Sequence, residues 1–94
     1  MTTFIMMGKY SSQAVQGISA ARTKKGNAII KKCRGKLVAA YAMLGKSDLL
    51  LVVQFPDVQS AMKASLRLTK AFGISFVTSP ALSIEEFDKL AGSK

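Results

Sequence analysis

The sequence contains no histidine and no tryptophan, only one cysteine, and only five acidic residues among 94. Without histidine, the chain cannot by itself build a Ser-His-Asp triad, a Cys-His pair, a histidine-ligated haem or a histidine-containing zinc site. Because Cys33 is the single thiol, an internal disulfide is excluded, and this cysteine usage is typical of a reducing compartment. We therefore expect a cytoplasmic protein with no metal and no bound cofactor.

Long apolar runs are also missing. The longest, residues 37–44, is far below the roughly 20 residues that cross a bilayer, so we expect no membrane partner. The first ten residues have neither a basic start nor an apolar stretch of about 7–15 residues, so we expect no signal peptide. Apolar residues nevertheless make up 49% of the chain. This composition is typical of a globular protein, and the length suits one domain over residues 1–94.

The scarcity of acids leaves a net charge of +9. All of the excess lies in residues 1–47, which hold nine basic side chains and no acid. Lys24, Lys31 and Arg34 lie on the outward half of the first predicted helix, so a polyanion or nucleic acid is one alternative partner. No aromatic residue accompanies these cations and no nucleic-acid motif is present, which argues against nucleic acid. A solubilising helix face explains the charges more simply.

The hydrophobic pattern predicts the element order β-α-β-β-α-β, the ferredoxin-like α+β fold with a four-stranded antiparallel sheet. Gly35 is the predicted left-handed residue that ends the first helix, and Asp57 is the predicted cap of the second. The predicted elements are a strand at 3–10, a helix from 12 to about 33, a hairpin of 36–44 with 48–55, a helix from 58 to 72 with Val58, Ala61, Met62 and Leu66 on its apolar face, a strand from 74 that Pro80 stops, and a terminal helix from 84 to 90.

Pairing Leu44 with Leu49 in the hairpin sorts its residues onto two sides. One side is wholly apolar and contains Val38, Ala40, Ala42, Leu44, Leu49, Leu51, Val53 and Phe55. The other is apolar at its centre and contains Ala39, Tyr41, Met43, Asp48, Leu50, Val52 and Gln54. The helices of one short chain can cover only one side. A second copy is the simplest cover for the other, so we expect a homodimer.

Several short segments, taken in order, resemble the GYD-domain family over nearly the whole chain. They are residues 4–10, Gly17-Ile18-Ser19, Arg22, Tyr41, residues 45–48, residues 53–57, Thr78-Ser79-Pro80 and Glu86-Phe87. The family is named for a glycine, a tyrosine and an aspartate, and here Ser47 stands where the tyrosine would be. The resemblance implies a dimeric α+β barrel, in which two ferredoxin-like sheets pack face to face, and it implies no activity.

Arg22 falls in the middle of an apolar stripe of the first predicted helix. Its neighbours on that stripe are Val15, Ile18, Ile29 and Cys33. A cation on a core-facing stripe requires compensation. It could come from a carboxylate, phosphate or enolate ligand, from an ion pair with Asp48, or from a stem that reaches solvent.

Tyr41, Asp48 and Gln54 share one side of the hairpin, and their relation to Arg22 depends on the helices. If the helices cover this side, the four residues line one polar pocket. If the helices cover the all-apolar side, Arg22 and Asp48 lie on opposite sides of the sheet; the small residues of that side favour this second layout. Asp48 also has a plain role in the tight turn that follows Gly45.

From these residues we expect the protein to bind a small anionic or aromatic metabolite without clear catalysis. Arg22, Tyr41, Asp48 and Gln54 are the candidate ligand-binding residues. A cofactor-independent oxygenase or isomerase that uses Tyr41, Asp48 and Arg22 is the enzyme alternative, and polyanion binding is the second alternative.

Overall fold

We analysed a computed structural model of the chain, which describes residues 1–92, so the last two residues of the predicted domain lie outside the described residues. The elements follow one another as β1 (Thr2–Tyr10), α1 (Ser12–Gln16), α2 (Ala20–Lys32), β2 (Lys36–Ala42), β3 (Leu49–Phe55), α3 (Val58–Phe72), β4 (Ile74–Ala81) and α4 (Ile84–Gly92). None of the helices within residues 1–92 is long and apolar enough to cross a membrane.

The four strands form one antiparallel sheet in the order β2-β3-β1-β4. The predicted ferredoxin-like α+β fold is therefore confirmed. Helices α2 and α3 lie on the all-apolar face of this sheet, which is the second of the two predicted layouts. Phe4, Met6, Val53 and Phe55 form the floor of the core, and each is at most 3% exposed. Ile30, Ala64 and Leu68 are among the helix residues that pack on this floor.

The hairpin register differs from the prediction by two residues. Leu49 pairs with Ala42, and Leu44 is fully exposed in the connecting loop. This wider loop is held by two backbone hydrogen bonds, from the Met43 N–H to the Asp48 carbonyl and from the Asp48 N–H to the Gly8 carbonyl, both 2.8 Å long. The Asp48 backbone therefore closes the loop by bonding Met43 and also joins the loop to β1 by bonding Gly8.

A bulge in β2 changes the face of one further predicted residue. The register shifts between Leu37 and Ala39, so Leu37 packs against the core while Val38 is 54% exposed. A bulge inserts one unpaired residue and reverses the alternation beyond it. The prediction that Val38 lies on the core side is therefore wrong.

The predicted long first helix is two helices, α1 and α2. The Ser19 side chain accepts a hydrogen bond from the Arg22 N–H at 3.1 Å and so caps a new helix. Val15 and Ile18 are more than half exposed, because the break at Gly17 removes them from the phase of α2. The continuous apolar stripe predicted around Arg22 is thus not formed, although Ile29 and Cys33 do face the core.

At the end of α2, the residue with left-handed backbone geometry is not the predicted one. Arg34 has φ 65°, and Gly35 does not have a positive φ. The Gly35 N–H donates to the Ile30 carbonyl at 2.9 Å and closes the turn. Gly35 is small for a different reason: a Cβ there would lie 2.5 Å from the Phe55 ring.

Helix α3 begins at the predicted cap, since the Asp57 carboxylate accepts from the Ser60 N–H at 2.7 Å, and it ends at left-handed Gly73. Its buried face is rotated from the predicted one. Ala61, Ala64 and Leu68 face the core, because small alanines let the helix approach the sheet closely. The larger predicted core residues, Val58, Met62 and Leu66, are each more than half exposed.

Candidate functional site

A small cavity interrupts the packing between the two helices and the covered face of the sheet. It has a volume of about 110 Å³. Its wall is largely apolar and includes Ile30, Leu37, Leu51, Leu68, Phe72 and Phe76. The roughly 150 Å³ of an apolar cavity that takes up benzene sets the scale: this one suits a single ring or a short branched chain.

Two small residues leave this space open. Gly26 lies in the middle of α2, where a Cβ would come within 3.7 Å of Leu68 and Phe72. Ala40 lies on the opposite wall. A glycine in a helix interior costs about 0.5–1 kcal/mol relative to alanine. Its presence here therefore keeps room between α2 and α3 at the expense of helix stability.

Arg22 lines the cavity and is partly buried. Its Nη1 donates a hydrogen bond to the Ala14 carbonyl, and its guanidinium lies 5.4 Å from the centroid of the Tyr10 ring. The same side chain also lines a wider outer recess of about 400 Å³, which Lys70 lines too. A guanidinium has five N–H donors, so Arg22 can hold Ala14 and bind an anion at the same time.

Asn27 supplies a second polar group to the cavity wall. Among the described residues, its Oδ1 is a buried side-chain atom with no hydrogen-bond partner. The neighbouring polar side chain, Thr23, is already engaged, because its hydroxyl donates to the Ser19 carbonyl at 3.2 Å. A buried polar atom without a partner costs free energy, so Asn27 is ready to bond a ligand that enters the cavity.

Asp48 is engaged by the backbone instead of by Arg22. Its Oδ2 accepts a hydrogen bond from the Tyr10 N–H at 2.9 Å and lies 3.6 Å from the Lys9 Nζ. These contacts fasten the end of β1 to the loop between β2 and β3. They agree with the plain structural role expected for an acid in this turn.

Tyr41 and Gln54 lie on the open face of the sheet, opposite the cavity. Tyr41 pairs with Leu50 and is 61% exposed, while Gln54 pairs with Thr3. Arg22 lies on the helix side, so the four predicted ligand-binding residues do not converge within one protomer. The structure follows the layout in which this convergence fails, because the helices pack on the all-apolar face.

The predicted polyanion residues Lys24, Lys31 and Arg34 are all exposed. Neither α2 nor α3 contains an acidic residue, and α3 adds three further cations, Lys63, Arg67 and Lys70. Cys33 is buried. Within residues 1–92, no three histidine, cysteine, aspartate or glutamate side chains come together as a metal site.

A sequence model of the GYD domain matches residues 4–91. The chain belongs to the GYD-domain family. Among curated proteins, none matches this GYD-domain chain. The family match confirms the resemblance drawn from the residues.

Two solved structures are similar to this GYD domain in fold. One is the leucine response regulatory protein LrpA of Mycobacterium tuberculosis, with a TM-score of 0.57 and 7% sequence identity. The other, described as a glutamate-to-alanine mutant, has a TM-score of 0.57 and 8% identity. Each match covers 87% of this chain but only 51% and 50% of the respective solved chains, so this chain spans about half their length. At such identities the likeness extends to the fold alone.

Sequence reasoning found Arg22 but missed Tyr10 and Asn27. A signal for Asn27 was present: Gly26 and Asn27 are adjacent poor helix formers in the middle of a predicted helix. Gly26 follows Arg22 by four residues, so both lie on one face of α2. The phase error at Gly17 concealed this face, because it placed Arg22 in a stripe with α1.

Proposed function

We propose that this protein binds a small anionic metabolite whose apolar body, a single ring or a short branched chain, fills the cavity beneath α2. The observation that carries this proposal is the combination of a largely apolar wall with the Arg22 side chain in that wall. The anionic group would bind the guanidinium, and the apolar body would contact Leu68 and Phe72. A planar guanidinium is well suited to a carboxylate, which it can bind through two parallel hydrogen bonds.

Asn27 adds a further property to the proposed ligand, a hydrogen-bonding group at the end away from the anion. Arg22 and Asn27 are five residues apart, which is about 7.5 Å along a helix axis. The Arg22 guanidinium reaches back to the Ala14 carbonyl, before the start of α2, so the two recognition groups are separated further. A ring with a carboxylate and a hydroxyl at opposite ends meets both requirements.

The fold gives weaker support of its own. One protein of this fold is a leucine response regulatory protein, and leucine is a small molecule. At 7% identity, this likeness assigns no role to any residue here. The proposal therefore depends on the cavity.

The test is calorimetric titration with benzoate and with its 4-hydroxy and 2-hydroxy derivatives. We expect 4-hydroxybenzoate to bind most tightly, since only its hydroxyl lies opposite the carboxylate. Arg22→Met keeps the length of the stem and should weaken binding of all three by about 10–100-fold, the effect of losing a charged hydrogen bond. Lys25→Met removes the same charge from an exposed position of α2 and should leave binding unchanged.

Two outcomes would contradict the proposal. One is the absence of binding of all three acids and of the aliphatic acid isovalerate to folded protein. The other is an equal loss of affinity in Arg22→Met and Lys25→Met, which would indicate a general charge effect. Thermal unfolding of Arg22→Met distinguishes a lost ligand contact from a lost fold, because Arg22 also holds the Ala14 carbonyl.

The enzyme alternative receives less support from this geometry. Its three residues are separated, with Arg22 at the cavity, Tyr41 on the open face and Asp48 bonded to the backbone. A cofactor-independent oxygenase or isomerase of the kind predicted would lose turnover by orders of magnitude in Asp48→Asn. Turnover that survives this change would remove these residues from consideration.

The polyanion alternative is favoured by one observation, the absence of acids from α2 and α3. Lys24, Lys31 and Arg34 would then contact successive negative charges. Binding of a polyanion should weaken steeply as salt is added, because bound cations are released. Salt-independent or absent binding to heparin would exclude this function.

We also propose that a second copy covers the open face of the sheet. Ile5, Met7, Leu50 and Val52 lie there, partly buried, and Val77 is 70% exposed beside them. An apolar surface of this kind is typical of a contact between proteins. Native mass spectrometry at moderate salt should give a dimer, and Val77→Asp should shift it toward monomer. A wild-type monomer at all concentrations would exclude the second copy.

A further inference from the structure

Helix α4 has an apolar face that nothing covers among the described residues. Ile84, Phe87 and Leu90 are 73%, 54% and 64% exposed, and α4 has no buried residue. Their spacing of three residues places them on one side of the helix. A short helix of this kind is marginally stable in water unless its apolar face is packed.

A second uncovered apolar stripe runs along α3. Val58, Met62 and Leu66 are 57%, 60% and 59% exposed, and they follow one another at four-residue intervals. From Val58 to Leu66 the stripe rises by about 12 Å along the helix axis, and from Ile84 to Leu90 the apolar face of α4 rises by about 9 Å. The two surfaces are therefore similar in length, and each is one helix wide.

The charges beside these two surfaces are opposite in sign. At 100° per residue, Glu86 and Asp88 lie on either side of the apolar face of α4. Lys63 and Lys70 lie along the outer edge of the α3 stripe by the same rotation. Three of the five acids of the chain are in α4, whereas α3 has none.

We propose that α4 of one copy docks on the α3 stripe of a second copy, and that the second copy does the same in return. The chain's own α4 leaves its α3 stripe exposed, and only Leu82 and Ser83 connect α4 to β4. A two-fold pair buries both apolar surfaces twice, which is how symmetric dimers form. This contact is separate from the open sheet face and goes beyond the ligand site.

Cross-linking tests the contact directly. Met62→Cys on one chain and Ala91→Cys on another place thiols on the two surfaces, since Ala91 is seven residues after Ile84 and shares its face. The native Cys33 is 4% exposed and contributes little background. When the two chains are mixed under mild oxidation, we expect a covalent heterodimer. Lys24→Cys, on α2, replaces Met62→Cys in the control and should cross-link at least about tenfold less.

Charge reversal makes the test specific. In the first variant Glu86 and Asp88 become lysine, and in the second Lys63 and Lys70 become glutamate. Each variant alone juxtaposes like charges, so its cross-linking should fall roughly tenfold. In an equal mixture of the two variants, both reciprocal contacts again join opposite charges, and cross-linking should return.

Three results would overturn the inference. Cross-linking equal to the Lys24→Cys control would show that the surfaces do not meet. A monomeric intramolecular disulfide in the double variant Met62→Cys, Ala91→Cys would show that α4 folds onto its own α3. If each charge-reversed variant alone cross-links as well as the equal mixture of the two, the charges do not select this contact.

Discussion

Val52 and Val53 are neighbours on β3, yet Val53 is fully buried beneath the helices while Val52 keeps part of its surface open on the other face. The same strands thus present two different surfaces. The covered face is filled by large side chains such as Phe4 and Phe55, whose rings meet edge to face at 5.9 Å. The open face mixes partly buried apolar residues with Gln54 and the exposed Tyr41.

This difference separates stability from recognition. The covered face holds the fold, and a gap in its packing forms the cavity that Arg22 and Asn27 line. The open face contributes less to the fold of one copy and remains available to another. Substitutions on the two faces should therefore change the free energy of unfolding by different amounts. These changes should also depend differently on protein concentration.

The largest effect is expected for Gly35→Ala, on the covered side. Its Cβ would lie 2.5 Å from a Phe55 ring carbon and 2.7 Å from an Ile30 methyl group. Because both neighbours are fully packed, we expect a loss of about 3 kcal/mol in the free energy of unfolding, measured by urea denaturation. Gly92→Ala is the control, since a Cβ there meets nothing within 4 Å. Equal stability of the two variants would show that the covered face is loosely packed at the end of α2.

A matched pair on β3 compares the two faces directly. Val53→Ala removes two buried methyl groups and leaves a cavity, so we expect a loss of about 2–3 kcal/mol in the free energy of unfolding. Val52→Ala acts on the partly open face and should cost less than about 1 kcal/mol in dilute protein. Denaturant titration of both variants measures the difference.

Measuring the same two variants at several protein concentrations tests whether a second copy covers the open face. If a second copy covers the open face, the cost of Val52→Ala should grow as the protein is concentrated, whereas the cost of Val53→Ala should not. A concentration-independent Val52→Ala effect would count against the second copy. Equal costs at high dilution would contradict the one-sided core.

The sequence specified the fold well, because the short apolar runs of β1 and β3 and the caps at Asp57 and Gly73 are local signals. It was less informative where two local signals competed. Ser19 is a strong cap inside a pattern that also fits one long helix, and the cap determines the break. The bulge before Ala39 has no marker in the sequence, so the face of Val38 could not be read from alternation alone.

The candidate site was less accessible to sequence reasoning than the fold. Arg22 stood out because a cation within an apolar pattern is unusual. Its neighbours Tyr10 and Asn27 come from two different elements, and only the packing of α2 on the sheet brings them to one cavity. The grouping of Tyr41 and Gln54 was read correctly from alternation, but alternation does not say which face the helices cover.

Gly26→Ala, beside the cavity of the covered face, should raise the free energy of unfolding, by less than the other covered-face substitutions lower it. The added methyl group meets Leu68 and Phe72 at 3.7 Å, an ordinary contact distance. Because alanine also favours a helix interior, we expect the free energy of unfolding to rise by about 0.5–1 kcal/mol. The same methyl group narrows the cavity, so binding of 4-hydroxybenzoate should weaken while stability rises. Destabilisation would show that α2 has no room at this point.

The smallest effect concerns the cap that fixes α3 over the covered face. Hydrogen bonds from Ser60 lower the pKa of Asp57 below its ordinary value, and Arg34 adds to this shift. A carboxylate whose pKa is lower in the folded than in the unfolded protein stabilises the folded state. This stabilisation is complete above the unfolded pKa of about 3.9 and is lost as the pH falls through the lower pKa of the folded state.

Asp57→Asn keeps a capping oxygen but removes the titration, so the loss of stability as the pH falls below about 4 should become shallower than in the wild type. Urea midpoints measured across this range provide the comparison. Glu85→Gln removes the same charge from an exposed position of α4 outside the proposed contact and should retain the wild-type slope. If both variants flatten the dependence of stability on pH equally, the acid sensitivity arises from net charge. The cap of α3 then makes no specific contribution to it.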